Sequence, residues 1–320
     1  MHRYRDRQLN RRAWQRVESM IAHAEELRIG VHTLACGTRI VDCGVRTHGG
    51  FAAGREFAAI CMGDLGHVTW TETRLGERSW PGVLVTTDHP VIACLAAQYA
   101  GWRIRMDTFF AMASGPGRAL VRAESLFERI GYTESSDVGV LCLETRTLPD
   151  ETVARTIAER MQVSPDALVL LVAPTASIVG SVQIAARSVE TALHKIEVMG
   201  YDVHQFVSGI GVCPLPPVAP SDAHAIGRAN DAILYGARVT LFADGQDDTL
   251  EEIAQRLPSA TSPHYGQPFY TVLERHAFDF YQIDPLLFSP AAVVVHNLRS
   301  GRTFHAGRVN VSVLEASFFG

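Results

Sequence analysis

Apolar positions recur along this chain with two periods, and each period marks a kind of element. Short apolar runs at 67–71, 83–87, 138–143, 168–172, 238–242 and 292–296 predict strands. Helix-period stretches lie between several of them, notably 151–161 and 222–234. The runs 31–34 and 39–43 flank Cys36-Gly37 and predict a hairpin. Residues 3–27 predict an amphipathic opening helix, and Gly49-Gly50 opens another that runs to Cys61. The segment 302–314 predicts a final pair of strands. The segment 207–219, VSGIGVCPLPPVA, carries Gly209, Gly211 and three prolines. That composition disfavours helix and central strand alike, so it predicts a fixed, irregular loop. No Ser- or Gly-rich linker, low-complexity tract or internal repeat interrupts the pattern.

In the run from Ala173 to Lys195, APTASIVGSVQIAARSVETALHK, the apolar strand 168–172 feeds through Pro174 and Thr175 into one long predicted helix. At ~100° per residue, Gln183, Arg187, Glu190 and His194 fall on one narrow stripe. Val182, Ala185, Val189, Ala192, Leu193 and Ile196 cover the roughly opposite side, the face a core requires. An amide, a guanidinium, a carboxylate and an imidazole on one stripe make a plausible catalytic surface. An Arg and a Glu three apart also form a solvated pair worth only ~0.2–0.5 kcal/mol.

Composition narrows the function classes. A chain of 320 residues with 47% hydrophobic and 20% charged residues is long enough for two globular domains. A net charge of −5 argues against a nucleic-acid surface. The basic start, MHRYRDRQLNRR, is followed by no signal-like apolar core, and no apolar run reaches the ~20 residues of a membrane span. These features predict a cytoplasmic protein with no membrane partner. The six cysteines are scattered, without CxxC, and the thirteen histidines show no HExxH or zinc-type spacing, so no metal site is predicted. Lys195 is the only lysine.

Some loops carry two readings. Ser114-Gly115-Pro116-Gly117-Arg118 either presents N–H groups and an arginine to an anion or is a plain tight turn; no GxxxxGK[ST] is present. The turn 44–54 either admits a ligand at Gly49-Gly50 or caps the next helix. Asn230 and Asp231 are either ligand contacts or make an interdomain hydrogen bond. Phe288 is either a lid over a flat heterocycle or core.

Six segments, in order, resemble the methenyltetrahydromethanopterin cyclohydrolase family: IVDCGV (Ile40 onward), AICMGDL (Ala59 onward), DHPVIACLAAQYAGW (Asp88 onward), GSVQIAARSVETALHK (Gly180 onward), GRANDAILYG (Gly227 onward), and the tail from FYQIDPLLFSPA (Phe280 onward) to FHAGRVN. The resemblance covers about 29–319. It implies an α+β fold of two mixed α/β domains with a substrate pocket between them. The division is placed near residues 1–145 and 146–320, with segments free to exchange. Gly117 stands where the family commonly has Ala, and Cys213 likewise, which marks Cys213 as packing and not a nucleophile.

The resemblance also implies the chemistry: reversible hydrolysis of 5,10-methenyl-tetrahydromethanopterin to the N5-formyl compound, on a formaldehyde-oxidation route in bacteria. The pterin, in its phosphorylated or dephospho form, is the substrate carrier; no prosthetic group is implied. Arg118 and Arg228 are the basic residues to follow for a phosphate. Glu190 is the implied general base and Arg187 the second catalytic residue. A neighbouring guanidinium lowers a carboxylate pKa, typically by ~1–3, while desolvation raises it. Gln183, Ser114, Gly115, Asn230 and Phe288 are the substrate-binding candidates. A homotrimer is implied as well. Two alternatives stand beside this reading, a non-catalytic pterin-binding relative and a cyclohydrolase for the folate analogue. The latter normally uses a dinucleotide-binding fold, and no GxGxxG follows a strand here.

Overall fold

A computed structural model describes residues 7–278 and 282–320. Residues 3–6 of the expected opening helix, and Phe280 and Tyr281 at the start of the tail motif, lie outside the described residues. The strands form two six-stranded sheets. The chain divides into two compact units, Met1–Gly66 with Ile92–Gln183, and His67–Val91 with Ile184–Gly320. Each holds one sheet, and the chain crosses between the units three times. The division expected near 145 falls inside the first unit, because the apolar run ending there pairs with a strand twenty-odd residues later.

In the first unit the sheet order is β1 (Gly30–Thr33), β2 (Arg39–Asp42), β8 (Leu168–Ala173), β7 (Gly139–Glu144), β6 (Phe109–Ser114), β5 (Trp102–Met106). The β1/β2 hairpin is antiparallel, as expected, and β2, β8 and β7 run parallel. Strand β8 is buried at every position, LVLLVA, which is how a parallel strand covered on both faces reads. One face packs under the helices Leu9–Ala22 and Phe51–Cys61, through Ala13, Val17, Phe57 and Ile60. The other packs under Glu151–Met161, through Val153, Ile157 and Met161. That last helix has the limits expected of it: Asp150 Oδ1 accepts from the Val153 amide at its start, and Gln162 ends it in the left-handed region.

In the second unit the order is β12 (Thr303–Gly307), β11 (Ala292–Asn297), β10 (Arg238–Ala243), β9 (Phe206–Pro214), β4 (Arg78–Thr87), β3 (His67–Leu75). Only β10 and β11 are parallel. Two expectations fail here. The segment read as an irregular loop holds all but the first residue of β9, a central strand between β10 and β4. Its glycines leave room for a helix: a Cβ on Gly209 would lie 2.7 Å from Val189 Cγ1, and one on Gly211 2.2 Å from Ser188 Oγ. The prolines fall at its last residue and beyond. The final pair of strands is one strand, β12, followed by the helix Val311–Phe319, with Asn310 Oδ1 accepting from the Val313 amide.

Candidate functional site

The single long helix predicted after Pro174 and Thr175 is two helices, Ile178–Ala185 and Ser188–Val198. At the junction the Arg187 amide bonds the Ile184 carbonyl, a tighter i−3 contact, and Arg187 takes φ −87°, ψ 6°. Gln183 therefore closes the first unit, while Arg187 and Glu190 belong to the second. The predicted apolar face holds: Val182, Ala185, Val189, Ala192, Leu193 and Ile196 are fully buried.

Arg187 and Glu190 are brought together, Nη1 to Oε2 at 3.8 Å. Their side chains are only 10% and 6% exposed, so the solvated surface pair is not what forms. The separation is a Coulombic contact and exceeds a hydrogen bond. Glu190 lies in the first turn of Ser188–Val198, where the helix dipole favours a carboxylate. Farther along the same helix, Lys195 is buried and donates to Pro258 O and Thr261 Oγ1, each at 3.0 Å. Burial pushes its pKa down to about 8.

In the first unit Gln183 is buried and donates through Nε2 to Glu144 Oε2 at 3.0 Å, while Thr175 Oγ1 donates to Glu144 Oε1 at 2.5 Å. Glu144 is absent from the sequence-based set. Its signal was available: it is the charged residue that closes the apolar strand β7, and Thr175 stands just beyond β8. Buried Ser114 has its Oγ 3.5 Å from Cys61 Sγ. Gly115 turns the chain at φ +97°, where a side chain would be strained, and its amide bonds Ala97 O. Arg118 is committed to internal partners, Glu124 among them. It is fully buried, with Nη1 3.1 Å from the carbonyls of Leu95 and Ala97 and Nε 2.8 Å from Glu124. The tight-turn reading of this loop fits. At 44–50, Asp42 binds the amides of Gly44, Val45 and Arg46, which fixes that turn from within.

In the second unit, Asn230 Nδ2 donates to Ile226 O one turn back, and half-buried Arg228 donates to Ser317 O and Val218 O. Phe288 meets buried Phe269 edge-on, with centroids 5.5 Å apart. Asp231 is fully buried, and its Oδ1 accepts from the Phe269 amide at the head of Phe269–Arg275. Burial pushes its pKa up to about 7 from 3.8. Below pH ~4 folded and unfolded chains both hold this proton. Between about 4 and 7 only the folded chain does, so stability falls as pH rises, by at most about 4 kcal/mol. Asp231→Asn keeps the acceptor for Phe269 and removes this penalty. It should raise the melting temperature at pH 8 by several degrees, with the gain vanishing towards pH 4. An equal effect at both pH values would contradict this assignment.

Among the described residues, no three His, Cys, Asp or Glu side chains group as metal ligands. No helix among them is long and apolar enough to cross a membrane.

The comparisons with known proteins cover nearly the whole chain. The family model described as Cyclohydrolase (MCH) matches residues 8–318. A methenyltetrahydromethanopterin cyclohydrolase of Methanocella arvoryzae is 45% identical over 312 residues, 97% of this chain and 98% of the relative. Proteins of that name from Methylobacterium organophilum and Methanococcoides burtonii are 44% and 40% identical, over 94% of this chain and 94% and 95% of their own lengths. The chain belongs to the cyclohydrolase (MCH) family.

Proposed function

We propose that this protein hydrolyses 5,10-methenyl-tetrahydromethanopterin reversibly to the N5-formyl compound, with Glu190 as general base and Arg187 as its partner. The substrate's bridging carbon lies in an amidinium cation and is already electrophilic, so the reaction needs a placed water and a proton carrier. Glu190 takes a proton as the water oxygen bonds to that carbon. It returns that proton to the departing nitrogen as the C–N bond breaks, and the remaining hydroxyl proton is released to solvent as the C=O forms, leaving a neutral formyl group on N5 and one proton released overall. Arg187 sets a positive charge beside the carboxylate, 3.8 Å away. The single observation that supports these roles is the buried Arg187–Glu190 pair at the head of Ser188–Val198; family membership supports the substrate. Neither a metal nor a prosthetic group is needed.

The test is direct. Purified protein, dialysed exhaustively against chelator, should bleach the near-ultraviolet absorbance of the methenyl-methanopterin substrate. The methenyl-folate analogue should stay close to its spontaneous rate. Equal turnover of both rejects the specificity, zinc-restored activity rejects metal independence, and turnover of neither favours a pterin-binding role.

The resemblance extends the proposal to a cytoplasmic homotrimer working in formaldehyde oxidation. All six cysteines are thiols outside any disulfide, which accords with a reducing compartment. Sedimentation equilibrium giving a monomer would remove the trimer.

A further inference from the structure

The helix that carries Glu190 packs at its head on a strip of backbone. Ser188 and Val189 lie against Gly211 and Gly209 of β9, where no side chain projects. That contact sets the distance between helix and sheet. Being apolar and nearly featureless, it does little to stop the helix sliding along the strand.

Lys195 supplies what the glycine strip lacks. Its buried amine donates to Pro258 O and Thr261 Oγ1, each at 3.0 Å, just past the end of the helix Asp247–Arg256. The dipole of that helix favours a cation there. The receiving segment is itself tied down: Ser259 donates to Pro290 O and Leu234 O, Ser289 to Leu257 O, and Ser262 to Asp284 Oδ2. At ~100° per residue Lys195 projects about 140° away from Glu190, some ~7.5 Å farther along the axis. It therefore anchors the helix from the side opposite the carboxylate.

The choice of residue is informative. Of the 29 lysines and arginines in the chain, this is the one lysine. An ammonium is compact and turns its three donors freely, whereas a guanidinium is a planar fork. Burial penalises the amine, lowering its pKa to about 8. An apolar side chain of the same length would fill the space without that penalty. What the lysine adds is direction.

We propose that Lys195 is a positioning residue for the hydrolysis: it locks the helix bearing Arg187 and Glu190 to the segment 258–261, and so fixes where the carboxylate stands. This rests on the reading of Glu190 as the base.

The experiment reads melting temperature, KM and single-turnover rate at saturating substrate. Lys195→Met keeps the length of the stem and removes the donors; Thr261→Val removes one acceptor from the far side of the contact. At a temperature where each variant is fully folded, Lys195→Met should be about 10–100-fold slower, with KM held within about threefold. Thr261→Val should lose about three- to tenfold, and serves alone if the Met variant does not fold. Added to Glu190→Gln, either change should slow the reaction little further, because it acts through that carboxylate. Wild-type rates in the folded variants overturn the inference. So does a loss confined to KM, or one that multiplies with that of Glu190→Gln. A slow Glu190→Gln beside fast Lys195→Met and Thr261→Val sinks this inference alone. A fully active Glu190→Gln sinks the base assignment, and the positioning role with it.

Discussion

Glu190→Gln should leave the protein folded and able to bind substrate while cutting turnover by ~10²–10⁴-fold. The amide matches the carboxylate in shape but cannot accept a proton from water. Because the side chain is only 6% exposed, bulk buffer should restore little of the loss. A solvated Arg–Glu pair would behave differently: its removal costs under about 0.5 kcal/mol and leaves the rate intact. Melting temperature, substrate affinity and single-turnover rate, measured together, separate the two outcomes. Full activity in a normally folded variant would end the case for Glu190 without touching the family assignment.

Gly211→Ala should be nearly as damaging, for a mechanical reason. The added Cβ would lie 2.2 Å from Ser188 Oγ and 2.9 Å from Val189 Cγ2, both on fully buried residues. Central strand β9 is pinned on both sides by β4 and β10, so the head of Ser188–Val198 has to yield. Overpacking of this kind costs ~1–3 kcal/mol. The segment that yields carries Arg187 and Glu190, and a displacement near 1 Å in a catalytic group costs up to ~10²-fold in rate. The variant should therefore lose activity out of proportion to its unfolded fraction, which circular dichroism and kcat together would reveal. An active variant with an unchanged melting temperature would show that the helix has slack.

These two sites also mark what the sequence made legible. Local signals carried well: the β1/β2 hairpin, the helix Glu151–Met161 with its Asp150 cap, and the fully apolar β8 all lie where the pattern placed them. Strand β9 was misread because Gly209 and Gly211 were taken as chain breakers. Their reason is tertiary, the close approach of Ser188 and Val189, and no local window contains it. The tail 302–314 alternates enough to suggest strands throughout, yet Asn310 caps a helix there whose packing partners lie elsewhere in the chain. Strands β5 and β6 carry the alternating pattern in WRIRM and FFAMAS and still fell outside the expected set.

The candidate site divides in the same way. Arg187 and Glu190 are three residues apart, so their pairing was readable, whereas their burial depends on the folded chain. Glu144 meets partners 31 and 39 residues away, brought to it by the crossover from β7 to β8. Arg118 looked like an anion ligand because sequence gives its charge but not its surroundings. Folding places it between the rings of Tyr99 and Phe127 and against backbone carbonyls.

The claim on which the rest depends is that the buried pair heading Ser188–Val198 is hydrolytic machinery. A double-mutant cycle in single-turnover rate, using Arg187→Ala, Glu190→Gln and the combination, tests it most directly. If the pair works as a unit, each single change slows the chemical step and the double variant is little slower than Glu190→Gln alone. Rates at the wild-type level in all three folded variants would contradict the account.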